Sequence, residues 1–289
     1  MPVFVLQSPA KINLTLRVLD RRCDGYHNIV STFFRLSSRE TLTLLPVFDD
    51  SSGEDALRIH GENLSGRNIL FDVLSMARTK GLRVPPLVMD LWKIFPPGTG
   101  IAAGSGNAAV LLQWIEETWD MTFCANELAT LGSDVVFLHD RESISIRGGI
   151  GEVVLVDEVP MKQHFTVLVI IPDFSSDTAT AYADLDKGRK QGMVFSQKDA
   201  VCEATNILQS LEKKEKVGLL PNDFADVLLG RFPAYERFFE IFDSSGAVCW
   251  GITGSGSGCF AFFEGRRAAC NTAWLLGQSP GIRKLSVLE

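Results

Sequence analysis

The six cysteines of this chain form no Cys-x-x-Cys pair and are scattered along its length. Their spacing argues against a zinc site and against a disulfide framework, and it favours reduced thiols in a cytosol. Long apolar runs are also missing: no stretch approaches the length that spans a bilayer. The first residues show no charged segment followed by an apolar run, which a signal peptide would have. We therefore expect a cytoplasmic protein with no membrane contact and no signal peptide.

An excess of positive charge is absent as well. The formal net charge is −7, so we expect no nucleic-acid partner, and local groups must hold any bound anion. With 46% hydrophobic and 22% charged residues, the composition is typical of a globular protein with a sizeable core. The 289 residues suffice for two domains, and a shift in composition around residues 157–163 predicts domains 1–160 and 161–289.

Hydrophobic periodicity predicts a mixed α/β protein. Apolar residues alternate with polar ones from Ile12 to Val18, which indicates a strand, and Lys11 and Asn13 share its polar face. Periodicity alone favours a solvated sheet face for these two side chains. Apolar spacing from Asn68 to Lys80 predicts a helix with Asn68 as N-cap.

A glycine-rich loop lies between a predicted strand, Leu87 to Phe95, and a predicted helix, Ala108 to Trp119. Its small residues allow close approach of backbone, and the N-terminus of the following helix favours an anion such as phosphate. An ordinary strand-to-helix connection is the alternative. No lysine follows these glycines, so the loop is not a Walker A motif. Gly104 to Ala109 matches Gly-x-Gly-x-x-Ala, but Pro96 and Pro97 separate this match from the strand, which argues against a dinucleotide fold.

Three further segments hold polar residues near turns. An Asp-Gly turn precedes Tyr26 and His27, a pair that more often packs than binds a ligand. Asp134 follows Gly132 at the start of an apolar run, where an aspartate is usually a helix cap. We interpret His139 and Asp140 as surface residues. A second glycine-rich loop, residues 251–258, separates two predicted strands and is either a ligand-contacting turn or a plain hairpin.

Taken together, these segments resemble the 4-diphosphocytidyl-2-C-methyl-D-erythritol kinase family, a branch of the GHMP small-molecule kinases. The resemblance begins with Ser8–Leu14 and Arg21–His27 and continues through the first glycine loop. Further similar segments follow in family order and span both halves of the chain: Leu131–Val135, Gly149–Glu152, Asn222–Phe224 and Thr253–Gly256.

The resemblance implies a two-domain α/β fold of the GHMP-kinase type with its active site in the cleft between the domains. Residues 1–160 would bind ATP, and residues 161–289 would carry the second glycine loop. The implied reaction transfers the γ-phosphoryl group of ATP, with Mg²⁺, to the 2-hydroxyl of a cytidine-diphosphate-linked methylerythritol in the non-mevalonate isoprenoid pathway. Lys11 and Asp134 would be catalytic, whereas Asn13, Tyr26, His27 and Thr178 would bind the substrate. The implied ATP-binding residues are Pro97, Gly98, Thr99, Gly100, Ile101, Ala102, Ala103, Gly104, Ser105, Gly106 and Asn107.

The first glycine loop departs from the family pattern. Thr99, Ala102, Ala103 and Gly106 replace glycines and a serine, which leaves Ser105 as the candidate contact for Mg²⁺. Two alternative functions remain open. Another GHMP kinase, acting on mevalonate, homoserine or a sugar, would leave Tyr26 and His27 without a role. A catalytically silent nucleotide-binding regulator would need neither Lys11 nor Asp134.

Overall fold

A computed structural model describes residues 2–47, 53–156, 159, 161–189 and 195–288. Within these residues the chain forms a mixed α/β protein, so the predicted fold class is confirmed. No helix among them is long and apolar enough to cross a membrane. The strands are β1 (Phe4–Arg21), β2 (His27–Pro46), β3 (Ala56–His60), β4 (Leu87–Trp92), β5 (Ile144–Gly148), β6 (Val153–Val156), β7 (Thr166–Pro172), β8 (Gly218–Leu219), β9 (Cys249–Ile252), β10 (Cys259–Phe263) and β11 (Ile282–Leu288). The helices are α1 (Ile69–Thr79), α2 (Ala103–Trp119), α3 (Ala125–Leu131), α4 (Ser133–His139), α5 (Thr178–Gly188), α6 (Gln197–Glu212), α7 (Ala225–Arg231), α8 (Ala234–Ser244) and α9 (Arg266–Gly277).

The chain divides into two compact units that are not continuous in sequence. Unit 1 consists of Met1–Ala10, Ser37–Pro97 and Ala102–Glu142. Unit 2 consists of Lys11–Leu36, Gly98–Ile101 and Ser143–Glu289. The division into domains 1–160 and 161–289 stays a prediction, and residues 157, 158 and 160 beside that boundary lie outside the described part of the chain.

Unit 1 is a helix-covered sheet. The second part of β2 pairs antiparallel with β4, from Thr41 opposite Trp92 to Pro46 opposite Leu87, and β4 pairs in parallel with β3. Alternate residues of β2 and β4 are fully buried, and they share one apolar core with the buried faces of α1 and α2. The predicted N-cap of α1 is confirmed, because the side chain of Asn68 accepts a hydrogen bond from the N–H of Leu70 at 3.1 Å.

Unit 2 contains a five-stranded sheet in the order β11-β7-β10-β9-β8. Every residue of β7 and of β10 is buried, which explains why these segments read as continuous apolar runs. Phenylalanines of α8 pack into the core on this sheet. The first part of β2 pairs antiparallel with β5, and β5 forms a hairpin with β6.

The helix after the first glycine loop begins earlier than predicted. The sequence places its start at Ala108, whereas α2 starts at Ala103. Ala102 is its N-cap and has a φ of 53°, in the left-handed region. The last residues of the glycine loop are therefore the first turn of a helix.

Candidate active site

Lys11 and Asn13 lie on β1 in unit 2, and both are buried, with 5% and 3% of their surface exposed. The expectation of a solvated face for these residues is therefore wrong. Lys11 Nζ donates a hydrogen bond to Asn13 Oδ1 at 2.7 Å and lies 4.9 Å from the ring centre of Phe33. Asn13 Nδ2 in turn donates to Ser31 Oγ at 2.7 Å. This arrangement holds the lysine ammonium in one position inside the protein.

The second glycine loop covers this polar pair. Thr253 Oγ1 accepts from the Asn13 N–H at 3.0 Å and donates to the carbonyl of Gly100, also at 3.0 Å. A Cβ on Gly100 would lie 2.3 Å from the Thr253 carbonyl oxygen, so only glycine fits there. This close approach shows that the second loop packs directly against the first, and a ligand contact of the second loop stays a prediction.

Residues 98–101 of the first glycine loop are held on two sides within unit 2. The N–H of Lys11 donates to the carbonyl of Ile101 at 2.9 Å, and the N–H of Gly258 donates to the carbonyl of Thr99 at 3.0 Å. Gly98 and Gly100 both have positive φ angles, of 73° and 74°. Unit 2 thus brings together Lys11, Asn13 and segments of both glycine loops.

The rest of the first loop, in unit 1, forms the start of α2. The N-cap residue Ala102 makes no side-chain hydrogen bond to the N-terminus of this helix. The N–H groups of the first turn lack intrahelical partners, and the helix dipole places partial positive charge there. Gly104 is exposed, and a Cβ there would meet no atom within 4 Å. An anion such as phosphate fits this open helix start, because it would accept hydrogen bonds from those N–H groups.

Two other residues of this first turn are fixed by packing. A Cβ on Gly106 would lie 1.8 Å from the Pro9 carbonyl oxygen, so a serine cannot occupy this position without a backbone shift. Asn107 is buried, and its side-chain amide donates to Ser8 Oγ at 2.7 Å and to Glu40 Oε2 at 3.0 Å. Its predicted contact with ATP stays a prediction. Ser105 is half-buried and keeps the only hydroxyl of this turn.

Asp134 lies in the first turn of α4 and is half-buried. The N-cap of this helix is Gly132, so the alternative that Asp134 is the cap residue is wrong. A carboxylate in a first helical turn is favoured by the helix dipole. Helix α4 is fixed to α2 by two contacts, a hydrogen bond from Gln113 Nε2 to the His139 carbonyl at 2.7 Å and a 2.8 Å contact between His139 Nε2 and Glu116 Oε2.

His139 is therefore not the surface residue that the sequence indicated, since 13% of its side chain is exposed. Burial lowers the pKa of His139, but hydrogen bonds to Asp140 and Glu116 outweigh burial and raise this pKa above its usual value. The contact between His139 and Glu116 links α4 to α2 within unit 1.

The predicted substrate-binding residues of unit 2 fall into two places. Tyr26 is 64% exposed, whereas His27 is buried and stacks on Tyr182 with ring centres 5.1 Å apart. His27 Nε2 lies 3.1 Å from Asp186 Oδ1, so its ring is held on two sides. Thr178 is the first residue of α5, and its Oγ1 lies 2.8 Å from Ser255 Oγ of the second glycine loop.

The part of the chain that the structure describes contains no metal centre built from protein side chains alone. Within the described residues, no group of three or more His, Cys, Asp and Glu side chains could hold a metal ion. Magnesium in kinases is commonly bound by one or two oxygen groups of the protein together with substrate phosphates. The hydroxyl of Ser105 in the first turn of α2 is an oxygen group of this kind.

Comparison with known proteins supplies the family. No family model matches the chain. A protein of Nitratidesulfovibrio vulgaris (strain Hildenborough) named 4-diphosphocytidyl-2-C-methyl-D-erythritol kinase is 30% identical over 284 residues, which cover 96% of each chain. This chain belongs to the 4-diphosphocytidyl-2-C-methyl-D-erythritol kinase family.

Solved structures agree with the fold of this kinase family. A crystal structure of 4-(cytidine 5'-diphospho)-2C-methyl-D-erythritol kinase has a TM-score of 0.78 at 24% identity and covers 99% of both chains. A homoserine kinase from Cytophaga hutchinsonii has a TM-score of 0.68 at 15% identity, covering 100% of this chain and 95% of that one. The GHMP-kinase-like fold implied by the sequence is confirmed.

Sequence reasoning assigned no role to several residues that position those of the 4-diphosphocytidyl-2-C-methyl-D-erythritol kinase pattern. Thr253 and Ser255 belong to a segment that resembles the family, and hydroxyls between glycines were the available signal for their contacts. Tyr182 and Glu40 had no local signal, because their partners lie far away in sequence.

Proposed function

We propose that this chain transfers the γ-phosphoryl group of ATP to the 2-hydroxyl of 4-diphosphocytidyl-2-C-methyl-D-erythritol. Such a reaction belongs to the non-mevalonate route to isoprenoid precursors. Membership of the kinase family supports the substrate, and one feature of the structure carries the reaction type. That feature is the buried ammonium of Lys11, held by Asn13, beside the contact between Thr253 and Gly100 that joins the two glycine loops.

Phosphoryl transfer depends mainly on positioning and on neutralising charge. In our proposal, residues Pro97–Asn107 hold the phosphates of ATP, with the first turn of α2 donating backbone N–H groups. Mg²⁺, when bound with ATP, supplies further neutralisation of phosphate charge. Ser105 is the proposed protein contact for this ion, because its hydroxyl is the only one in that turn.

Each remaining residue has a separate proposed role. Asp134 acts as general base and takes the proton of the substrate hydroxyl. Lys11 stabilises negative charge that develops on the reacting oxygens. Asn13 and Thr178 orient the sugar alcohol, while Tyr26 and His27 bind the cytidine end. The buried, two-sided support of His27 suits a side chain that reads one base, since a fixed polar group rejects a mismatched partner.

The partner is thus a small molecule carrying a cytidine diphosphate, and we propose a cytoplasmic location. The alternative of a GHMP kinase for mevalonate, homoserine or a sugar assigns no ligand to the fixed ring of His27. The alternative of a silent regulator gives no reason to bury a lysine ammonium, because desolvating such a charge is costly.

The experiment is ADP formation by the purified chain with ATP and Mg²⁺, with and without the cytidylylated sugar alcohol. We expect turnover only when the acceptor is present. The matched variant Asp134→Asn should lower kcat by about 10²–10⁴, the range for a lost general base, while keeping the wild-type melting temperature within a few degrees. ATP turnover that ignores the acceptor, or an unaffected Asp134→Asn variant, would contradict the proposal.

A further inference from the structure

A buried ion pair lies behind the first glycine loop and has no role in the function proposed above. Glu40 of β2 is completely buried, and the side chain of Lys93, just after β4, is 3% exposed. Lys93 Nζ donates to Glu40 Oε2 at 2.7 Å. Burial of two charges costs so much that apolar residues often stabilise a fold equally well. Stability alone therefore does not explain this pair.

The carboxylate of Glu40 binds both ends of the glycine loop within unit 1. Its Oε1 accepts from the N–H groups of Ile94 and Phe95, at 3.0 and 2.8 Å, where the chain enters the loop. Its Oε2 accepts from Asn107 Nδ2 at 3.0 Å, where the chain has entered α2. One side chain thus joins the backbone before the loop to the side chain of Asn107 after it.

Lys93 and Ser8 complete the network around Asn107. Lys93 Nζ donates to Asn107 Oδ1 at 3.2 Å, and Asn107 Nδ2 also donates to Ser8 Oγ at 2.7 Å. The neighbouring residue Pro9 makes the close contact with Gly106 described above. The first turn of α2 is consequently fixed in position by β1 and β2 as well as by its own helix.

We propose that Glu40 is a positioning residue for phosphate binding, because it ties the two ends of the glycine loop together before ATP arrives. A loop whose ends are already fixed loses less conformational freedom on binding, and that preorganisation raises affinity. Lys93 Nζ donates to the Glu40 side chain at 2.7 Å, and a carboxylate accepts stronger hydrogen bonds from backbone N–H groups than a neutral oxygen does. This inference rests on the proposed function for the binding of phosphate and for its kinetic consequence, whereas the tie between the two ends of the loop does not depend on it.

The test compares Glu40→Gln with Val73→Ala, a buried substitution in α1 that lies outside the glycine loop and its network. Glu40→Gln keeps the shape of the side chain but places an amide donor or a neutral oxygen against Lys93 and Asn107. The first readout is hydrogen exchange of the backbone amides of residues 94–108 without nucleotide. We expect exchange there to rise about tenfold in Glu40→Gln, which corresponds to about 1.4 kcal/mol, and to stay within twofold in Val73→Ala.

The second readout is the KM for each substrate. In Glu40→Gln the KM for ATP should rise about tenfold while the KM for the cytidylylated substrate stays within twofold, because the positioning acts on the phosphate loop. Ser8→Ala, which leaves no buried charge unpaired, should shift both readouts in the same direction by a smaller factor and carries the test if Glu40→Gln does not fold. Loop exchange and KM for ATP equal to those of Val73→Ala would overturn the inference. A wild-type chain without turnover would contradict the proposed function instead, and hydrogen exchange would then decide the role of Glu40.

Discussion

Lys11 is a buried lysine whose Nζ donates to Asn13 Oδ1 and lies over the ring of Phe33. We expect Lys11→Met to lower kcat by about 10²–10³ with little change in KM for ATP, because the charge that Lys11 meets develops in the transition state. The variant should fold, since methionine keeps the length of the side chain and Asn13 keeps its hydrogen bonds to Ser31 Oγ and Thr253 Oγ1. Steady-state kinetics check this prediction. A rise confined to KM for ATP would show that Lys11 binds phosphate only in the ground state.

Gly106 offers a second prediction for a single residue. The Pro9 carbonyl oxygen occupies the space that a Cβ on Gly106 would need. Gly106→Ala must therefore shift either the start of α2 or the segment of β1 around Pro9. We expect Gly106→Ala to destabilise the fold by about 1–3 kcal/mol or more, as overpacking does. Gly104→Ala is the matched control, because its Cβ enters open space and alanine favours a helix. Denaturant unfolding of the two variants should move in opposite directions, and equal shifts would contradict the structure.

Among the elements, α4 depends on α2 for its position, and a histidine makes part of that link titratable. The pKa of His139 is raised in the folded chain, since hydrogen bonds to Asp140 and Glu116 outweigh the opposing effect of burial. The stabilising contribution of protonated His139 is therefore fully present at pH values below the unfolded pKa of about 6.5. That contribution is lost as pH rises through the raised folded pKa.

The corresponding measurement is the melting temperature between pH 5 and 9. We expect the wild type to lose on the order of 2 °C relative to His139→Gln as pH rises through this window, which is the effect of a modest ionic contribution in a protein of this size. Glu116→Gln should remove most of that difference, because Glu116 Oε2 is the carboxylate 2.8 Å from His139 Nε2. Parallel profiles of melting temperature against pH for wild type and His139→Gln would contradict a stabilising contact between protonated His139 and Glu116.

Elements whose signals are local were predictable from the sequence. The N-cap of α1 depends on Asn68 and the next residues alone, so the prediction was correct. The start of α2 was not predictable, because it depends on contacts of Gly106 and Asn107 with residues far away in the chain. Alternation along β1 separated its two faces, but it could not show that Thr253, 240 residues away from Asn13, covers the polar one.

At the scale of the whole molecule, each unit draws its residues from separate parts of the chain. The first glycine loop changes unit twice, since residues 98–101 belong to unit 2 and their neighbours on both sides to unit 1. The division into domains 1–160 and 161–289 stays a prediction, whereas the ordered motifs identified the family. The shared fold also accommodates homoserine kinase, so the fold alone does not select a substrate.

Substrate choice is thus the central claim, and one comparison tests it directly. The measurement is kcat/KM of the wild-type chain for 4-diphosphocytidyl-2-C-methyl-D-erythritol, mevalonate and homoserine at a fixed concentration of ATP and Mg²⁺. We predict a preference for the cytidylylated substrate of about 10⁴ or more, because a site built around polar contacts to the base leaves those groups unpaired with either competitor. Equal or higher kcat/KM for mevalonate or homoserine would contradict the account.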